Sequence, residues 1–257
     1  MSRQAVACRL ATARCDGIEG MVARVVVLMA ATLMAGCATG VSTAVQDAPI
    51  APTPAPAPSV SAPKAVPATP HSRPAVVHPV TAADLGASWR PECPVPPADL
   101  RRVEVDHLGY DGVIRRGNLV VHRDVVGDVI AIFADLARMR YPIERMRTVE
   151  QYPGAEDEAS MRDNNTSAFN CRPLPGSARW SEHAYGRAID VNPLVNPYLD
   201  AAGDLQPTTA GRYLDRTRDD LGLLHPGDAA VAAFTDRGWT WGGTWRDPVD
   251  YQHFEVG

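Results

Sequence analysis

Two short segments in the C-terminal part of the chain decide how the whole sequence is interpreted. The first is Ser181-Glu182-His183-Ala184-Tyr185-Gly186-Arg187-Ala188-Ile189-Asp190, and the second is Asp250-Tyr251-Gln252-His253-Phe254-Glu255-Val256. Together they contain side chains that commonly bind metal ions. The candidate ligands are His183, Asp190 and His253. A further acidic residue, Asp250, precedes the last histidine by three positions.

Two imidazoles and one carboxylate suit zinc better than calcium or magnesium, which prefer shells made only of oxygen. Three protein ligands leave the fourth tetrahedral position for water, and this is the pattern of catalytic rather than structural zinc sites. We therefore predict that these three residues bind zinc in a hydrolytic centre.

Asp250 is the predicted general base of that centre. In a regular strand the side chains of Asp250 and His253 would point to opposite faces. We therefore expect a turn or bulge between them. Glu255 lies on the same face as His253 and is an alternative base; its other possible role is to orient the His253 imidazole.

The segments around the first motif predict how its residues are presented. Gly186 indicates a loop, and Ala188-Ile189-Asp190-Val191 is typical of a strand. The alternating stretch Ala168-Phe169-Asn170-Cys171-Arg172 predicts another strand that runs toward the loop. Arg172 would then be the nearest cation, able to hold a carboxylate or stabilise an oxyanion. Its spacing is equally compatible with a surface arginine.

Aromatic residues surround the second motif. Trp241 and Trp245 flank Gly242-Gly243, where the absence of side chains leaves room for an extended peptide. We expect one of the two tryptophans to form a wall of the cleft. Ser181 and Tyr185 are further candidates for binding substrate, whereas we expect Trp239 to fill the core.

The complete pattern is Ser-x-His-x-x-Gly-x-Ala-x-Asp, then Trp-Gly-Gly-x-Trp, then Asp-x-x-His-Phe-Glu. It resembles the VanY-type peptidoglycan peptidases. That family includes D-alanyl-D-alanine carboxypeptidases and L-alanyl-D-glutamate endopeptidases, within the zinc fold shared with lysostaphin-like enzymes and hedgehog domains. The resemblance implies that His183, Asp190 and His253 bind zinc and that Asp250 is the base. It also favours Arg172 as the arginine that faces the substrate.

Two questions stay open at this level. Many carboxypeptidase members of the family carry Glu where this chain has Asp250, whereas the endopeptidase branch often has Asp, so the bond that is cut is not decided. The resemblance to hedgehog domains also implies that a protein with this zinc fold can function without catalysing a reaction. A zinc-containing lipoprotein that only binds the cell wall is therefore the alternative function, although a site used only for binding has no need for a base.

The N-terminal part has the pattern of an export signal. An apolar run, Val25 to Leu33, follows the basic start after Met21 and is too short to span a membrane. It ends in Leu33-Met34-Ala35-Gly36-Cys37, which resembles a bacterial lipoprotein processing box. We predict a signal peptide over residues 1–37, with Met21 as an alternative start, and a lipid anchor at Cys37. The alternative is an ordinary secretory signal.

Residues 38–84 are rich in Ala, Pro, Val, Ser and Thr, with Ala51-Pro52-Thr53-Pro54-Ala55-Pro56-Ala57-Pro58 at their centre. Such a composition buries too little apolar surface to order the chain and predicts a disordered linker. The folded domain would then span residues 85–257. An exported lipoprotein facing the cell wall or periplasm, with peptidoglycan stem peptides as its substrate, is the location that these features predict.

The first half of that domain is predicted to be scaffold. Leu119-Val120-Val121-His122 is typical of a strand, and apolar residues recur at helical spacing from an N-cap at Asp124 to Arg140. Met146 to Glu150 predicts another strand. The expected fold class is α+β, with a small antiparallel sheet and flanking helices that carry the zinc site. His107, His122 and His225 are not expected to bind metal.

Charge and cysteine content limit the remaining possibilities. The net charge is −5 and the isoelectric point is about 5.8, so the chain has no basic field for nucleic acid. Two cysteines, Cys93 and Cys171, remain in the predicted domain. In an exported protein such a pair is most simply a disulfide, and two buried free thiols are the alternative.

Overall fold

The computed structural model describes residues 73–174 and 176–257. The fold is α+β, as predicted, and consists of short helices and small, mainly antiparallel sheets. The strands are β1 Val76–Pro79, β2 Leu100–Leu108, β3 Ile114–His122, β4 Arg145–Met146, β5 Asn165–Thr166, β6 Ala188–Asp190, β7 Tyr198–Leu199, β8 Leu205–Gln206, β9 Thr240–Trp241, β10 Val249–Asp250 and β11 His253–Glu255. The α-helices are α1 Ala82–Leu85, α2 Val126–Arg138, α3 Asp157–Arg162 and α4 Ala229–Thr235.

The scaffold sheet has the order β1-β2-β3 and is antiparallel throughout. Side chains alternate along β3, so that Leu119 and Val121 join the main core while Val120 joins a smaller cluster on the other face. Helix α2 packs against the sheet. Its four most buried side chains recur at helical spacing and are Val129, Ile132, Phe133 and Leu136.

The start of α2 differs from the prediction. A 3-10 turn, Arg123–Val125, precedes the helix, and the first helical residue is Val126. Asp124 is therefore not the N-cap of α2. Its backbone N–H instead donates to Nδ1 of His122, which caps the 3-10 turn.

The site sheet has the order β6-β11-β9. Its central strand places Phe254 opposite Ile189 on one side and opposite Trp241 on the other. Phe234 of α4 stacks on Phe254 with a ring separation of 3.9 Å. These residues belong to the same apolar cluster as α2, so the site sheet rests on the main core of the domain.

A third sheet has the order β10-β7-β8. In the sequence its strands fall between β6 and β11 of the site sheet. Strands β4 and β5 form the one parallel pair among the described residues. The predicted strand over Met146 to Glu150 is wrong beyond its start, because Val149–Gln151 form a 3-10 turn.

The predicted strand over 168–172 is also wrong. Successive backbone N–H groups there donate to different parts of the chain: Phe169 to Val120, Asn170 to His183 and Cys171 to Ser88. No single neighbouring strand pairs with this segment, so it joins three regions without forming a ladder. Cys171 does form the predicted disulfide with Cys93.

The boundary predicted at residue 85 also differs from the structure. Strand β1 pairs with β2 from Val76 opposite Glu104 to Pro79 opposite Arg101, and α1 begins with a capping box at Thr81. Residues 73–84, predicted as linker, thus form part of the fold. The predicted signal peptide, Cys37 and the rest of the linker lie outside the described residues. Within those residues, no helix has both the length and the apolar character needed to cross a lipid bilayer.

Candidate metal centre and active-site cleft

The site sheet brings the candidate ligands together. Strands β6 and β11 are paired so that His253 lies directly opposite Asp190. His183 comes from the 3-10 turn Glu182–Tyr185 just before β6, where the Ser181 hydroxyl accepts a hydrogen bond from the His183 backbone N–H. All three ligand side chains are buried.

Gly186 ends that turn and allows it to lie close to the scaffold sheet. Its φ is +68°, a left-handed conformation that favours glycine. A Cβ at this position would lie 2.7 Å from the backbone nitrogen of His122. A side chain here would therefore displace the turn that carries His183.

The donor atoms have the spacing that a tetrahedral ion requires. His183 Nε2 lies 3.1 Å from His253 Nδ1 and 3.1 Å from Asp190 Oδ2, and His253 Nδ1 lies 3.2 Å from Asp190 Oδ1. Ligands held ~2.1 Å from a common tetrahedral centre lie about 3.4 Å apart. The three side chains thus fit a divalent metal with only small movements.

The second nitrogen of each imidazole fixes which nitrogen faces the centre. His183 Nδ1 lies 2.6 Å from the Ala168 carbonyl oxygen, and His253 Nε2 lies 3.0 Å from Glu255 Oε2. Each of these nitrogens must carry the proton because its partner can only accept. The lone pairs of His183 Nε2 and His253 Nδ1 are then directed at the centre, as metal binding requires.

Electrostatic interactions among the protein groups reinforce this arrangement. Burial alone would raise the pKa of Asp190, but the two histidines hold it well below its usual range. Burial would lower the pKa of His253, but the hydrogen bonds that its ring donates to Asp190 and Glu255 outweigh burial and raise this pKa to about 10. The centre therefore attracts positive charge, which protons and metal cations would compete to supply.

Asp250 faces the same centre, and the predicted break between it and His253 is confirmed. Strand β10 ends at Asp250, β11 begins at His253, and the two residues between them form a bend. Asp250 Oδ1 is buried and has no hydrogen-bond partner among the described residues. Burial, and next the charge of Asp190, raise the pKa of Asp250 to about 7. Such a carboxyl group can exchange a proton near neutral pH.

Glu255 lies on the opposite side of His253. It is hydrogen-bonded to the imidazole, and it lines a separate hollow together with Glu182 and Tyr185. The hydrogen bond to His253 lowers the pKa of Glu255. This placement favours the interpretation that Glu255 orients the imidazole over the interpretation that it is the base.

Arg172 borders the candidate centre, and Asp157 forms an ion pair with its Nε. Its Nε lies 2.8 Å from Asp157 Oδ2, an ion pair whose angle falls outside hydrogen-bond geometry. The other oxygen, Asp157 Oδ1, accepts from Asn170 Nδ2 at 3.2 Å. Burial would lower the pKa of Arg172, but Asp157, and after it Asp190 and Asp250, raise it. Within residues 73–174 and 176–257, no hydrogen bond engages the terminal nitrogens of Arg172.

A cleft with a volume of about 450 Å³ joins these groups. The candidate ligands, Asp250 and Arg172 form its polar floor. Residues from α3 and from neighbouring loops and strands complete its walls: Met161, Leu174, Ser177, Arg179, Ser181, Tyr198, Gln206, Trp245, Pro248 and Gln252.

The structure separates the predicted cleft residues into two groups. Trp245 and Ser181 line the cleft. Trp241 is 2% exposed and packs in the core opposite Phe254, with its indole N–H donating to the Tyr251 carbonyl. Tyr185 lines the hollow on the other side of His253. Trp241 and Tyr185 therefore do not face the cleft, and one tryptophan of the pair forms a wall, as expected.

Sequence analysis missed three residues of this region: Asp157, Tyr198 and Gln252. Gln252 lies within the second motif, so its position next to a ligand was a usable signal. Tyr198 pairs with Asp250 across β7 and β10, and Asp157 begins α3 far from the motifs. No local pattern in the sequence indicates these last two contacts.

The other histidines considered lie outside the centre. His107 is buried in the scaffold with Nδ1 hydrogen-bonded to the Ile143 carbonyl. His122 caps a turn, and His225 pairs with Asp228 at the start of α4. All three histidines therefore lie apart from the candidate ligands.

Comparison with known proteins agrees with the geometry. Residues 175–256 match the family model described as D-alanyl-D-alanine carboxypeptidase. The search of curated proteins and the search of solved structures gave no match. The matched segment contains all three candidate ligands and Asp250, and Arg172 lies just before it. Residues 175–256 are therefore similar to the D-alanyl-D-alanine carboxypeptidase family of VanY-type peptidases.

Proposed function

We propose that this protein is a zinc metallopeptidase that hydrolyses an amide bond in peptidoglycan stem peptides. The observation that carries the proposal is the convergence of His183, Asp190 and His253 beside an unpartnered carboxylate oxygen of Asp250. The family match supports peptidase chemistry and a substrate from peptidoglycan. The two nitrogen donors support zinc as the metal.

His183, Asp190 and His253 would hold the ion. A bound zinc ion acts as a Lewis acid and lowers the pKa of a water molecule. Ala168 and Glu255 keep the two imidazoles in the tautomers that binding requires. The protein thus supplies a rigid, buried ligand set.

Asp250 would act as the general base. Its carboxylate takes a proton from the attacking water and later returns this proton to the leaving amine. Since a cation on the neighbouring ligands favours the charged form of a carboxyl group, Asp250 would ionise more readily in the loaded enzyme than its pKa of about 7 indicates. The base would then be available at neutral pH.

Arg172 would stabilise the negative charge that develops on the carbonyl oxygen. Asp157 engages the Nε side of the guanidinium, so the terminal nitrogens stay available to the cleft. Loss of one such donor commonly reduces the rate by ~10²–10³.

Two peptide bonds remain candidates within this proposal, the D-alanyl-D-alanine bond and the L-alanyl-D-glutamate bond. The first is named in the description of the matching family, whereas the aspartate at position 250 fits the endopeptidase branch that the sequence resembles. A carboxypeptidase would release a single D-alanine, and an endopeptidase would split the stem near its sugar-linked end.

The test is incubation of purified protein with defined muropeptides, with and without a chelator, followed by mass spectrometry of the products. Chelator-sensitive cleavage is expected, and the product masses identify the bond. Unchanged peptides with stoichiometric zinc bound would refute the peptidase proposal and support the alternative, a wall-binding protein.

We propose, from the sequence, that the protein is exported and anchored through Cys37, with residues 38–72 as a spacer to the folded domain. The match to a family of peptidases that act on peptidoglycan supports a location in the periplasm or outside the cell. A Cys37→Ser variant is expected to leave the membrane fraction of a bacterial host and appear in the soluble exported fraction. Retention of this variant in the membrane would contradict the anchor.

A further inference from the structure

Gln252 holds an amide group that the proposed chemistry does not use. The residue is 2% exposed, yet it lines the active-site cleft. Its side-chain oxygen Oε1 is buried and lacks a hydrogen-bond partner. Among the described residues, no hydrogen bond reaches the amide nitrogen either. Both polar atoms of this carboxamide are therefore free of protein partners.

A hydrogen bond to the residue that follows β6 anchors the backbone at Gln252. The Gln252 carbonyl accepts a hydrogen bond of 2.9 Å from the Val191 N–H, directly after β6. The bend between β10 and β11 directs Asp250, Gln252 and His253 into one cleft. A regular strand would turn the last of these away from the other two.

Buried polar groups without partners are rare in proteins because they lose their hydrogen bonds to water on folding. The cleft contains two such oxygens, Asp250 Oδ1 and Gln252 Oε1. The first is accounted for by its proposed role as base. A carboxamide does not exchange protons at neutral pH, so Gln252 requires a different explanation.

We propose that the Gln252 carboxamide binds the peptide backbone of the substrate next to the bond that is cut. Its oxygen accepts from a substrate N–H, and its NH₂ group donates to a substrate C=O. A primary carboxamide presents these two functions side by side, which suits the N–H and C=O of one residue in an extended chain. This inference rests on the proposed function, and it identifies the part of the substrate that Gln252 recognises, the backbone amide beside the scissile bond.

The consequence concerns the class of substrate. The enzyme selects an extended peptide that carries at least one amide N–H beside the scissile bond. An isolated dipeptide, or a chain with an ester at the neighbouring position, lacks this contact.

The first experiment uses peptides that differ by one atom. A synthetic stem peptide that the protein cleaves is compared with versions in which each amide that flanks the scissile bond is in turn an ester; a C-terminal D-alanyl-D-alanine bond has such an amide only on its N-terminal side. Replacing N–H by O removes the donor with little change in shape. The wild type is expected to lose about 10- to 100-fold in kcat/KM on one of these esters, the range expected when a buried acceptor is left unpaired.

The second half of the experiment changes the protein. Gln252→Met is expected to cleave the parent peptide about 10- to 100-fold less efficiently and to treat the same ester and the parent alike. Gln151→Met makes the same exchange outside the cleft and should behave as the wild type. A Gln252→Met enzyme that still discriminates fully against that ester, or that cleaves the parent peptide at the wild-type rate, would overturn the proposal.

A binding measurement separates this inference from the proposed function. Calorimetry with the Asp250→Asn protein compares the affinity for the parent peptide and the esters, with and without Gln252→Met. Ester discrimination that depends on Gln252 supports the contact even if the wild type cleaves nothing. Equal affinities for parent and esters in the presence of Gln252 overturn it. Gln252→Asn, which keeps the amide but shortens the side chain, serves if the Met variant fails to fold.

Discussion

The scaffold sheet and the site sheet are both built from antiparallel strand pairs, but they differ in length and in function. Strands β2 and β3 have nine residues each and pair along their whole length. Strands β6 and β11 have three residues each. The long strands place apolar side chains against α2, whereas the short strands end where polar side chains must turn toward one point. Continuous strand pairing stabilises the scaffold sheet. The break between β10 and β11 allows polar side chains to reach the cleft.

Buried polar residues follow the same division. In the scaffold sheet they are Asp106 and His107, both with protein partners. Around the site sheet they include all three candidate ligands and Gln252. A buried polar group without a partner is costly, and the two such oxygens that line the cleft, from Asp250 and Gln252, lie at the break between β10 and β11. Mutations in the two regions should consequently affect different properties.

The largest effect is expected from His183→Ala. Removal of one of three ligands should abolish stoichiometric zinc binding and, with it, all measurable hydrolysis. Metal analysis of the purified variant and a muropeptide assay check this. His225→Ala, a change of a histidine outside the cleft, should retain both properties. A His183→Ala protein that kept zinc and activity would exclude the proposed centre.

Asp250→Ala should separate the metal from the chemistry. The three ligands are intact, so zinc should stay stoichiometric, while loss of the base should lower kcat about 10³- to 10⁴-fold. Asp128→Asn, at a half-buried position in the first turn of α2, is the matched change in the scaffold and should leave kcat unchanged. Full turnover in the Asp250 variant would require another base.

The part of the site that could be predicted from sequence is the part encoded locally. His183 and Asp190 follow one another on a turn and its strand, and the spacing of Asp250 and His253 required a break in the second strand. The choice between Trp241 and Trp245 depended on register. Trp241 pairs with Phe254 and thereby faces the core.

Other features depend on partners that are distant in the chain. Asp157 reaches Arg172 from α3, which has no motif of its own. Strand β1 forms by pairing with the edge of β2. Composition does not reveal this pairing, and the prediction from composition therefore placed these residues in the linker. Segment 168–172 has the alternation of a strand but hydrogen-bonds to three separate regions. Local patterns cannot reveal such contacts, because tertiary structure decides them.

Phe133→Ala should show the opposite profile to the site variants. Phe133 is fully buried between α2 and the scaffold sheet, so the cavity left by its removal should lower the free energy of unfolding by about 3–5 kcal/mol. Denaturant unfolding measures this, and the fraction that stays folded should bind zinc normally. Val113→Ala, at an exposed position, should change stability by less than ~0.5 kcal/mol. Loss of zinc from folded Phe133→Ala protein would show that the two regions are not separable.

Asp157→Asn tests whether a residue outside the cleft positions one inside it. Without the charge, Arg172 is held less firmly, and kcat should fall about tenfold with little change in KM or zinc content. Glu158→Gln, the next residue of α3, is the control. In a double-mutant cycle, Arg172→Lys should remove most of the effect of Asp157→Asn. Additive effects would indicate that the two residues act independently.

The smallest effect concerns a buried acid in the scaffold sheet. Burial alone would raise the pKa of Asp106, but hydrogen bonds from Arg73 and Arg116 hold it below its ordinary value. A carboxyl group with a lowered pKa in the folded state contributes stability that is fully present above its unfolded pKa of about 3.9 and is lost as the pH falls further. Asp106→Asn lacks this contribution at every pH. The difference in Tm between wild type and variant should therefore shrink as the pH falls from 6 toward 2, whereas acid effects on the metal centre, common to both proteins, cancel in that difference. A gap in Tm that stays constant with pH would mean that the charge of Asp106 adds nothing to the scaffold.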